Sequence, residues 1–186
     1  MKIHRIALLA IGFVAFSGSA HAQLIVQGKG LAAQCYDYAI SKNNGSRAAI
    51  ETCSQAFDGA MSQKDRAATF VNRGVLFMRK GDQEKAMADY AAALEIKPNL
   101  TQAHVNRAAS LIRQKKFDAA IDALNTALED QESPTRSAAL YNRAIALDWK
   151  QDYKGAYYDL KAALAIRPDW EPALRLISRY EVRPAG

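Results

Sequence analysis

The sequence lacks most of the side chains that metal binding and catalysis require. Three histidines and two cysteines occur among its 186 residues, and His104 is the one histidine beyond residue 22. A lone histidine is not a metal site, and we interpret His104 as a packed side chain. There is no glycine-rich phosphate loop, no HExxH motif and no Ser-His-Asp candidate set. We therefore expect no enzymatic activity, no metal and no cofactor.

The sequence also lacks any block of five or six like charges. Its 25 Lys and Arg residues and its 19 Asp and Glu residues are spread along the chain. A surface that binds nucleic acid or an anionic membrane usually concentrates basic residues in such a block. The charge distribution therefore predicts no nucleic-acid partner and no membrane patch.

Long apolar runs are absent except near the N terminus. The basic start MKIHR precedes an uncharged apolar run of 11 residues, and small residues then lead to Ala20-His21-Ala22. This order is typical of a secretory signal peptide, and the run is shorter than the ~20 residues that a membrane-spanning helix needs. We predict that residues 1–22 are a cleaved signal peptide. The mature chain is then secreted or periplasmic, with no membrane insertion after the signal is removed.

A four-residue motif recurs three times, as VNRG, VNRA and YNRA. Alignment on this motif defines three units, which span 67–100, 101–136 and 137–170. The small residues of the units coincide at three positions: Gly74, Ala108 and Ala144; Ala86, Ala120 and Ala156; Ala93, Ala127 and Ala163. Apolar residues recur at intervals of three and four, which is typical of helices, so each unit reads as two helices. One such hairpin cannot bury both of its faces alone, and the units must therefore stack.

The spacing of small residues and proline over 34 residues resembles the tetratricopeptide repeat (TPR) family. The resemblance implies an all-α fold: a right-handed α-solenoid of stacked antiparallel helix hairpins. The chain departs from the family at one position, which is usually apolar and here holds Arg73, Arg107 and Arg143.

Further elements are predicted on both sides of the three units. Residues 30–63 resemble a degenerate fourth unit, with a turn at 42–45 between its helices. Residues 171–182 should form a C-terminal capping helix whose polar side carries Arg175, Arg179 and Glu181. The predicted TPR-like domain spans 31–182 and follows an N-terminal linker at 23–30.

Cys35 and Cys53 are equidistant from residue 44, the centre of the predicted turn in the first hairpin. Residues equidistant from the turn of an antiparallel hairpin face each other, so we predict a disulfide between them. Export would place this bond in an oxidising compartment, where it can persist. The alternative is a redox-active pair, which the spacing does not favour because it is not C-x-x-C.

The arginine of the motif is predicted to hold the hairpins together. Arg73 and Asp89 are equidistant from the turn of their hairpin, and so are Arg143 and Asp159. Each pair should form a structural salt bridge across its own hairpin, since a partly buried arginine needs an acidic partner.

The middle unit departs from this pattern. The position of the acid is held by Ala123, and we suggest that Arg107 uses Asp89 of the preceding hairpin instead. The alternative for all three arginines is a row of cations that binds anionic ligands.

The asparagine of the motif is predicted to line a groove. By the resemblance, the first helix of each hairpin faces the inside of the superhelix. A carboxamide has one acceptor and two donors, so a row of them can bond the backbone of an extended peptide. The predicted groove consists of Asn72, Asn106, Asn142, Val71, Val75, Arg79, Val105, Arg113, Tyr141, Ile145 and Trp149. In it, Arg79 and Arg113 would favour acidic residues or a free carboxylate. The alternative is that asparagine is simply a polar residue on a wet concave face.

The sequence therefore favours an exported interaction module or adaptor that binds an extended segment of a partner protein in its concave groove. The alternative is a structural subunit, which forms a homo-oligomer or packs into a cell-envelope assembly through its convex face or end cap. We do not expect the clamp by which some relatives bind the acidic C termini of chaperones. Of that set only Asn106 is in place, and the basic positions hold Val71, Ala138 and Asn142.

Overall fold

The computed structural model describes residues 2–5, 30–41 and 45–183. Its helices are α1 (Leu31–Ile40), α2 (Arg47–Gln55), α3 (Gln63–Lys80), α4 (Gln83–Ile96), α5 (Thr101–Arg113), α6 (Phe117–Glu129), α7 (Arg136–Trp149), α8 (Tyr153–Ile166) and α9 (Glu171–Ile177). A 3₁₀ turn, Ala56–Asp58, follows α2, and two short strands are β1 (Lys2–Arg5) and β2 (Tyr180–Arg183). Most of the predicted signal peptide, the linker up to residue 29 and the turn at 42–44 lie outside the described residues. Within the described ranges, no helix has the length and apolar composition needed to cross a bilayer.

The helices form successive antiparallel pairs: α1 with α2, α3 with α4, α5 with α6, and α7 with α8. The first helices α1, α3, α5 and α7 lie side by side in one row. The second helix of each pair also contacts the first helix of the next, and α9 packs against α8. This arrangement confirms the predicted α-solenoid of stacked hairpins with a C-terminal capping helix.

The turn inside each of the last three hairpins has the same backbone conformation. Gly81, Lys115 and Gln151 occupy equivalent positions with φ of 88°, 59° and 66°. The first turn uses glycine, which adopts this region without a steric penalty, whereas Lys115 and Gln151 adopt it at some cost. Asp82 and Asp152 then cap α4 and α8, each accepting a hydrogen bond from a backbone N–H three residues on, at 3.2 and 2.9 Å.

The two helices of a hairpin approach each other where a small residue faces a large one. In the first of the three repeats, a Cβ placed on Gly74 would lie 2.5 Å from Cε1 of the buried Tyr90 ring. The equivalent pairs are Ala108 with Leu124 and Ala144 with Leu160, all buried in the main apolar cluster. The larger tyrosine therefore requires glycine, and the smaller leucine leaves room for alanine.

The C-terminal helix is shorter than the predicted span of 171–182. It ends at Ile177, and the following residues form β2, which pairs antiparallel with β1. Tyr180, the first residue of β2, attaches this strand to the helices. Its hydroxyl donates to Asp148 Oδ1 on α7 at 2.8 Å, and its ring lies in the main apolar cluster. Since β1 lies within the predicted signal peptide, cleavage of that peptide would remove β1 from its place beside β2.

The structure places a disulfide between Cys35 on α1 and Cys53 on α2, the pair predicted from the sequence. Their Cα atoms are 4.8 Å apart, and both residues are fully buried. The apolar cluster of this hairpin is small: the two cysteines pack with Ala49, Ile50 and Leu76. The covalent bond therefore joins the two helices where apolar burial is limited.

Replacing Gly74 by alanine is expected to destabilise the fold. Overpacking against Tyr90 costs about 1–3 kcal/mol, and the higher helix propensity of alanine returns about 1 kcal/mol. The free energy of unfolding, measured by urea denaturation, should fall.

The second variant, Gly74→Ala with Tyr90→Leu, recreates the alanine–leucine pair of the other hairpins and should recover most of this loss. It also removes the Tyr90 hydroxyl, which is buried without a hydrogen bond. The matched control is Ala108→Gly, which relieves no clash and should cost about 1 kcal/mol. A Gly74→Ala variant as stable as the wild type would show that this contact does not limit the helix approach.

Removing the disulfide with Cys35→Ala and Cys53→Ala should lower the free energy of unfolding by about 3 kcal/mol, because the bond closes a loop in the unfolded chain. A reductant should lower the denaturation midpoint of the wild type and leave that of the variant unchanged. If the wild-type midpoint does not respond to complete reduction, the bond contributes little to stability.

Candidate functional site

Arg73 connects three helices. Its Nε and Nη2 atoms donate to the two carboxylate oxygens of Asp89 on α4, at 2.9 and 2.7 Å. Its Nη1 atom donates to Ser54 Oγ on α2 at 3.0 Å. The two-pronged contact with a carboxylate is the strongest geometry open to arginine. Arg73 therefore links α3 both to its own hairpin and to the preceding one.

Arg143 repeats this arrangement two units later. Its Nε and Nη2 atoms donate to the carboxylate of Asp159 on α8, at 2.7 and 2.8 Å, and its Nη1 atom donates to Asn125 Oδ1 on α6 at 2.8 Å. The bonds to Asp159 raise the pKa of the Arg143 guanidinium. The structure thus brings together both predicted arginine–aspartate pairs.

Aromatic rings surround the guanidinium of Arg73. The ring centroids of Phe57, Phe70 and Phe77 lie 4.8, 5.7 and 5.8 Å from its Cζ atom. Burial raises the pKa of the Asp89 carboxyl, and the bonds from Arg73 act in the opposite direction. An arginine can occupy this usually apolar position because its edge meets a carboxylate and its faces meet aromatic rings.

Arg107 makes neither of these contacts. It is exposed, and the two acceptor positions of its hairpins are held by Ala123 and Ala91. The suggestion that it uses Asp89 is wrong, because Arg107 is exposed whereas the Asp89 carboxylate is buried and forms its ion pair with Arg73. A solvated arginine needs no acidic partner, so the middle repeat tolerates the loss of both acceptors.

The acceptors Ser54 and Asn125 were not anticipated from the sequence. They lie 19 and 18 residues before Arg73 and Arg143. The sequence signal is the repeat position rather than the spacing: Asn125 occupies the position in its unit that Ala91 holds in the preceding one, and a polar residue there predicts a bound arginine.

The inner face is the side of the row α3, α5 and α7 that is turned away from α4, α6 and α8. Asn72, Asn106 and Asn142 are predicted to line this face, as a peptide-binding row or as polar side chains in contact with water, but they are 0%, 1% and 2% exposed in the full-length chain. Each lies one residue, or ~100° of helix, from the arginine position that faces the second helices. Their carboxamides are therefore turned partly inward. Asn142 Nδ2 donates to no acceptor, which leaves a buried donor unsatisfied.

Two of the predicted groove valines belong to the core instead. Val71 packs with Ala93 and Leu100, and Val105 lies in the main apolar cluster. Both are fully buried, as is Val75. Val71 and Val105 are turned toward the neighbouring hairpin, where stacking of the units removes them from solvent.

Arg79 is also committed to the fold. Its Nη1 atom donates at 2.7 Å to the backbone oxygen of Ser41, the residue that ends α1. Burial lowers the pKa of its guanidinium. The expectation that Arg79 would meet an acidic ligand is therefore not supported, whereas the equivalent Arg113 is exposed.

The remaining predicted groove residues are accessible and lie toward the C-terminal end. Tyr141 and Ile145 are half-buried, and the Tyr141 ring lies 4.7 Å from that of Trp170. Trp149, the last residue of α7, is 58% exposed and lies at the edge of this face, where it stacks on Phe117 at the start of α6, with centroids 5.5 Å apart and planes 9° from parallel. We call this set the C-terminal inner face: Arg113, Tyr141, Ile145 and Trp149.

His104 is packed against a turn. Its Nε2 atom lies 2.8 Å from the backbone oxygen of Pro98, and its Nδ1 atom is buried without a hydrogen bond. In the part of the chain that the structure describes, no three His, Cys, Asp or Glu side chains are grouped to hold a metal ion.

Comparisons with known sequences agree with the repeat analysis. Residues 67–100 match the family model described as Tetratricopeptide repeat. Over 112 residues, 60% of the chain, the sequence is 30% identical to Anaphase-promoting complex subunit 7 of Dictyostelium discoideum. The match spans 19% of that relative, about a fifth of its length.

Solved structures show the same fold. MamA 41-end from Desulfovibrio magneticus RS-1 superposes with a TM-score of 0.62 at 15% identity, over 82% of this chain and 84% of that one. The second TPR domain of the human RPAP3 protein, in complex with the HSP70 peptide SGPTIEEVD, superposes with a TM-score of 0.57 at 22% identity, over 63% and 96%. The chain is thus similar to solenoids of tetratricopeptide repeats.

The two kinds of motif arginine should respond differently to truncation. Arg73→Ala leaves the buried Asp89 carboxylate without its partner and should cost about 3–5 kcal/mol in unfolding free energy. Arg107→Ala, the matched control, removes an exposed side chain and should change stability by less than about 0.5 kcal/mol. Urea denaturation of both variants checks this. Equal effects would show that the Arg73 contacts do not carry the difference.

Proposed function

We propose that the chain is an exported interaction module that binds an extended segment of a partner protein along its inner face. The observation that carries the proposal is the C-terminal inner face. Its accessible aromatic, apolar and basic side chains come from the neighbouring helices α5 and α7. None of these side chains makes the arginine contacts that hold the hairpins together.

Trp149 is the strongest single indication. It is the most exposed large apolar side chain among the described residues, and Phe117 holds its ring in one orientation by stacking. Tryptophan and arginine are the residues most often found at the energetic centre of protein interfaces. A fixed, exposed tryptophan on α7, which packs beside the helix that carries the exposed Arg113, suits the capture of a peptide better than it suits solvent.

The structural comparisons support a peptide as the partner. The RPAP3 domain, which shares this fold, is described in complex with a peptide. Extending that property to this chain is part of the proposal, because an identity of 22% speaks to the fold alone.

Export is the second part of the proposal. The order of basic, apolar and small residues in 1–22 supports cleavage after Ala22. Expression of the full-length gene in a bacterium should yield protein in the envelope fraction that begins at Gln23 by mass spectrometry. Full-length protein found in the cytosol would contradict export without affecting the binding proposal.

The binding proposal can be tested by selection from a displayed library of random 12-residue peptides. The bait is the protein purified from the envelope fraction. Selected peptides should bind the wild type and lose about tenfold or more in affinity with Trp149→Ala, because truncation of an anchor residue of this kind costs at least ~1.4 kcal/mol.

The matched control is Tyr158→Ala, which removes an aromatic side chain that is 45% exposed on α8. It should leave peptide affinity unchanged. If no peptide is enriched and the protein forms a stable oligomer in light scattering after size exclusion, the structural-subunit alternative is favoured. Peptides that bind both variants equally would move the binding surface away from the inner face.

A further inference from the structure

Removal of residues 1–22 would change the surface around β2. In the full-length chain β1 is the strand that pairs with β2, and β1 also packs against α8. We call the place that β1 occupies, bordered by β2 and α8, the strand groove. Because β1 belongs to the predicted signal peptide, cleavage would empty this groove and leave the edge of β2 without its partner strand. Such an edge presents a row of backbone N–H and C=O groups that can pair with another extended chain.

Tyr180 keeps β2 in position by contacts that do not involve β1. Its hydroxyl donates to Asp148 Oδ1 on α7 at 2.8 Å, and the residue is 7% exposed. The centroid of its ring lies 6.4 Å from those of Tyr153 and Tyr157 on α8. These contacts join the start of β2 to two helices, so the strand should stay beside α8 after β1 is removed. The edge is then a preformed surface, which lowers the entropic cost of binding.

The next two residues of β2 define what the bound chain should contain. Glu181 and Val182 are both exposed, Val182 by 40%. In the register of β1 with β2 they lie opposite His4 and Ile3. Cross-strand pairs of apolar side chains or of opposite charges stabilise a sheet, whereas like charges directly opposite each other destabilise it. A segment that runs antiparallel to β2 therefore fits best with an apolar residue followed by a basic one.

We infer that, once residues 1–22 are removed, the strand groove binds an extended segment of a partner protein as an added β-strand. The segment pairs with β2 through its backbone and places an apolar and then a basic residue opposite Val182 and Glu181. The inference rests on the export part of the proposed function and is separate from the inner face. A second copy of the chain is a poorer fit, because its own β2 begins at the third residue after α9 and is held in its own core by Tyr180.

The test uses fluorescent octapeptides in which Ile-Lys or Ile-Glu is flanked by three threonines on each side. Fluorescence anisotropy compares the protein from the envelope fraction, which begins at Gln23, with the full-length chain. The processed protein should bind the Ile-Lys peptide about fivefold more tightly than the Ile-Glu peptide. The full-length chain should bind it at least about tenfold more weakly than the processed protein does, because the tethered β1 competes for the groove.

If no processed protein is found in the envelope, a protease site inserted after Ala22 releases β1 from the purified full-length chain. Peptide binding after this cut would support the strand groove although export had failed. Absence of binding to either processed form would overturn the inference and leave the inner-face proposal to its own test.

Glu181→Lys should reverse the preference, so that the Ile-Glu peptide binds more tightly. The matched control is Glu171→Lys, which makes the same change at an exposed residue of α9 and should keep the preference for Ile-Lys. Backbone pairing is tested by an N-methyl group on the Ile or the Lys amide of the Ile-Lys peptide. Adjacent residues of a strand point their N–H groups to opposite sides, so one methylated peptide should lose about tenfold in affinity and the other should not.

Four results would contradict the inference. Equal binding by the processed and full-length chains would overturn it, and so would a preference that Glu181→Lys leaves unchanged. Equal affinities of the two methylated peptides would show that the peptide backbone does not pair with β2. Loss of binding with Trp149→Ala would place the peptides on the inner face, and a dimer of the processed protein that excludes them, seen by light scattering, would assign the strand groove to a second copy.

Discussion

Each of the last three hairpins of this solenoid depends on a close contact between its two helices, where a small side chain faces a large one. The contact sets how near the helices lie, and therefore how much apolar surface each hairpin buries and how much it leaves for its neighbour. Gly74 packs against Tyr90 in one hairpin, and Ala108 packs against Leu124 in the next. Both pairs allow the two helices to approach closely, although their side chains differ in volume. Because cores are packed closely, neither member of a pair can change without the other. Stacking then follows, since each hairpin still has an apolar side to cover.

The arginine contacts fix the relative position of the helices that pack in this way. Arg73 and Arg143 each bind an aspartate across the hairpin and a polar side chain on the preceding one. Apolar surfaces can slide with little penalty, whereas a two-pronged bond to a carboxylate holds one arrangement. The middle repeat has no such contact at Arg107, and there the packing alone positions the helices. The first hairpin, which shares a small apolar cluster with Leu76 of α3, is joined covalently instead.

The hairpins, the disulfide pair and the two arginine–aspartate pairs could be predicted because each depends on spacing within one unit. Residues equidistant from a turn face each other whatever the rest of the chain does. The exposure of Asn72, the role of Arg79 and the end of α9 could not be predicted in this way. They depend on contacts between units, such as Arg79 with the end of α1 and Tyr180 with Asp148 on α7. For the same reason the accessible part of the groove is smaller than predicted and lies toward α7.

The main functional consequence of these contacts is that the two ends of the inner face have different roles. Its N-terminal part stabilises the fold: its valines are buried, and its arginine, Arg79, donates to the backbone oxygen at the end of α1. Its C-terminal part, which carries Trp149 and Arg113, is accessible. A binding surface placed there uses a rigid scaffold and side chains that the scaffold does not need.

Hydrogen–deuterium exchange of the purified protein, with and without a selected peptide, tests this account most directly. Bound peptide should slow exchange in the C-terminal half of α5 and in α7, and leave α4, α6 and α8 unchanged. Protection confined to the second helices, or spread evenly over the chain, would contradict a binding surface on the inner face.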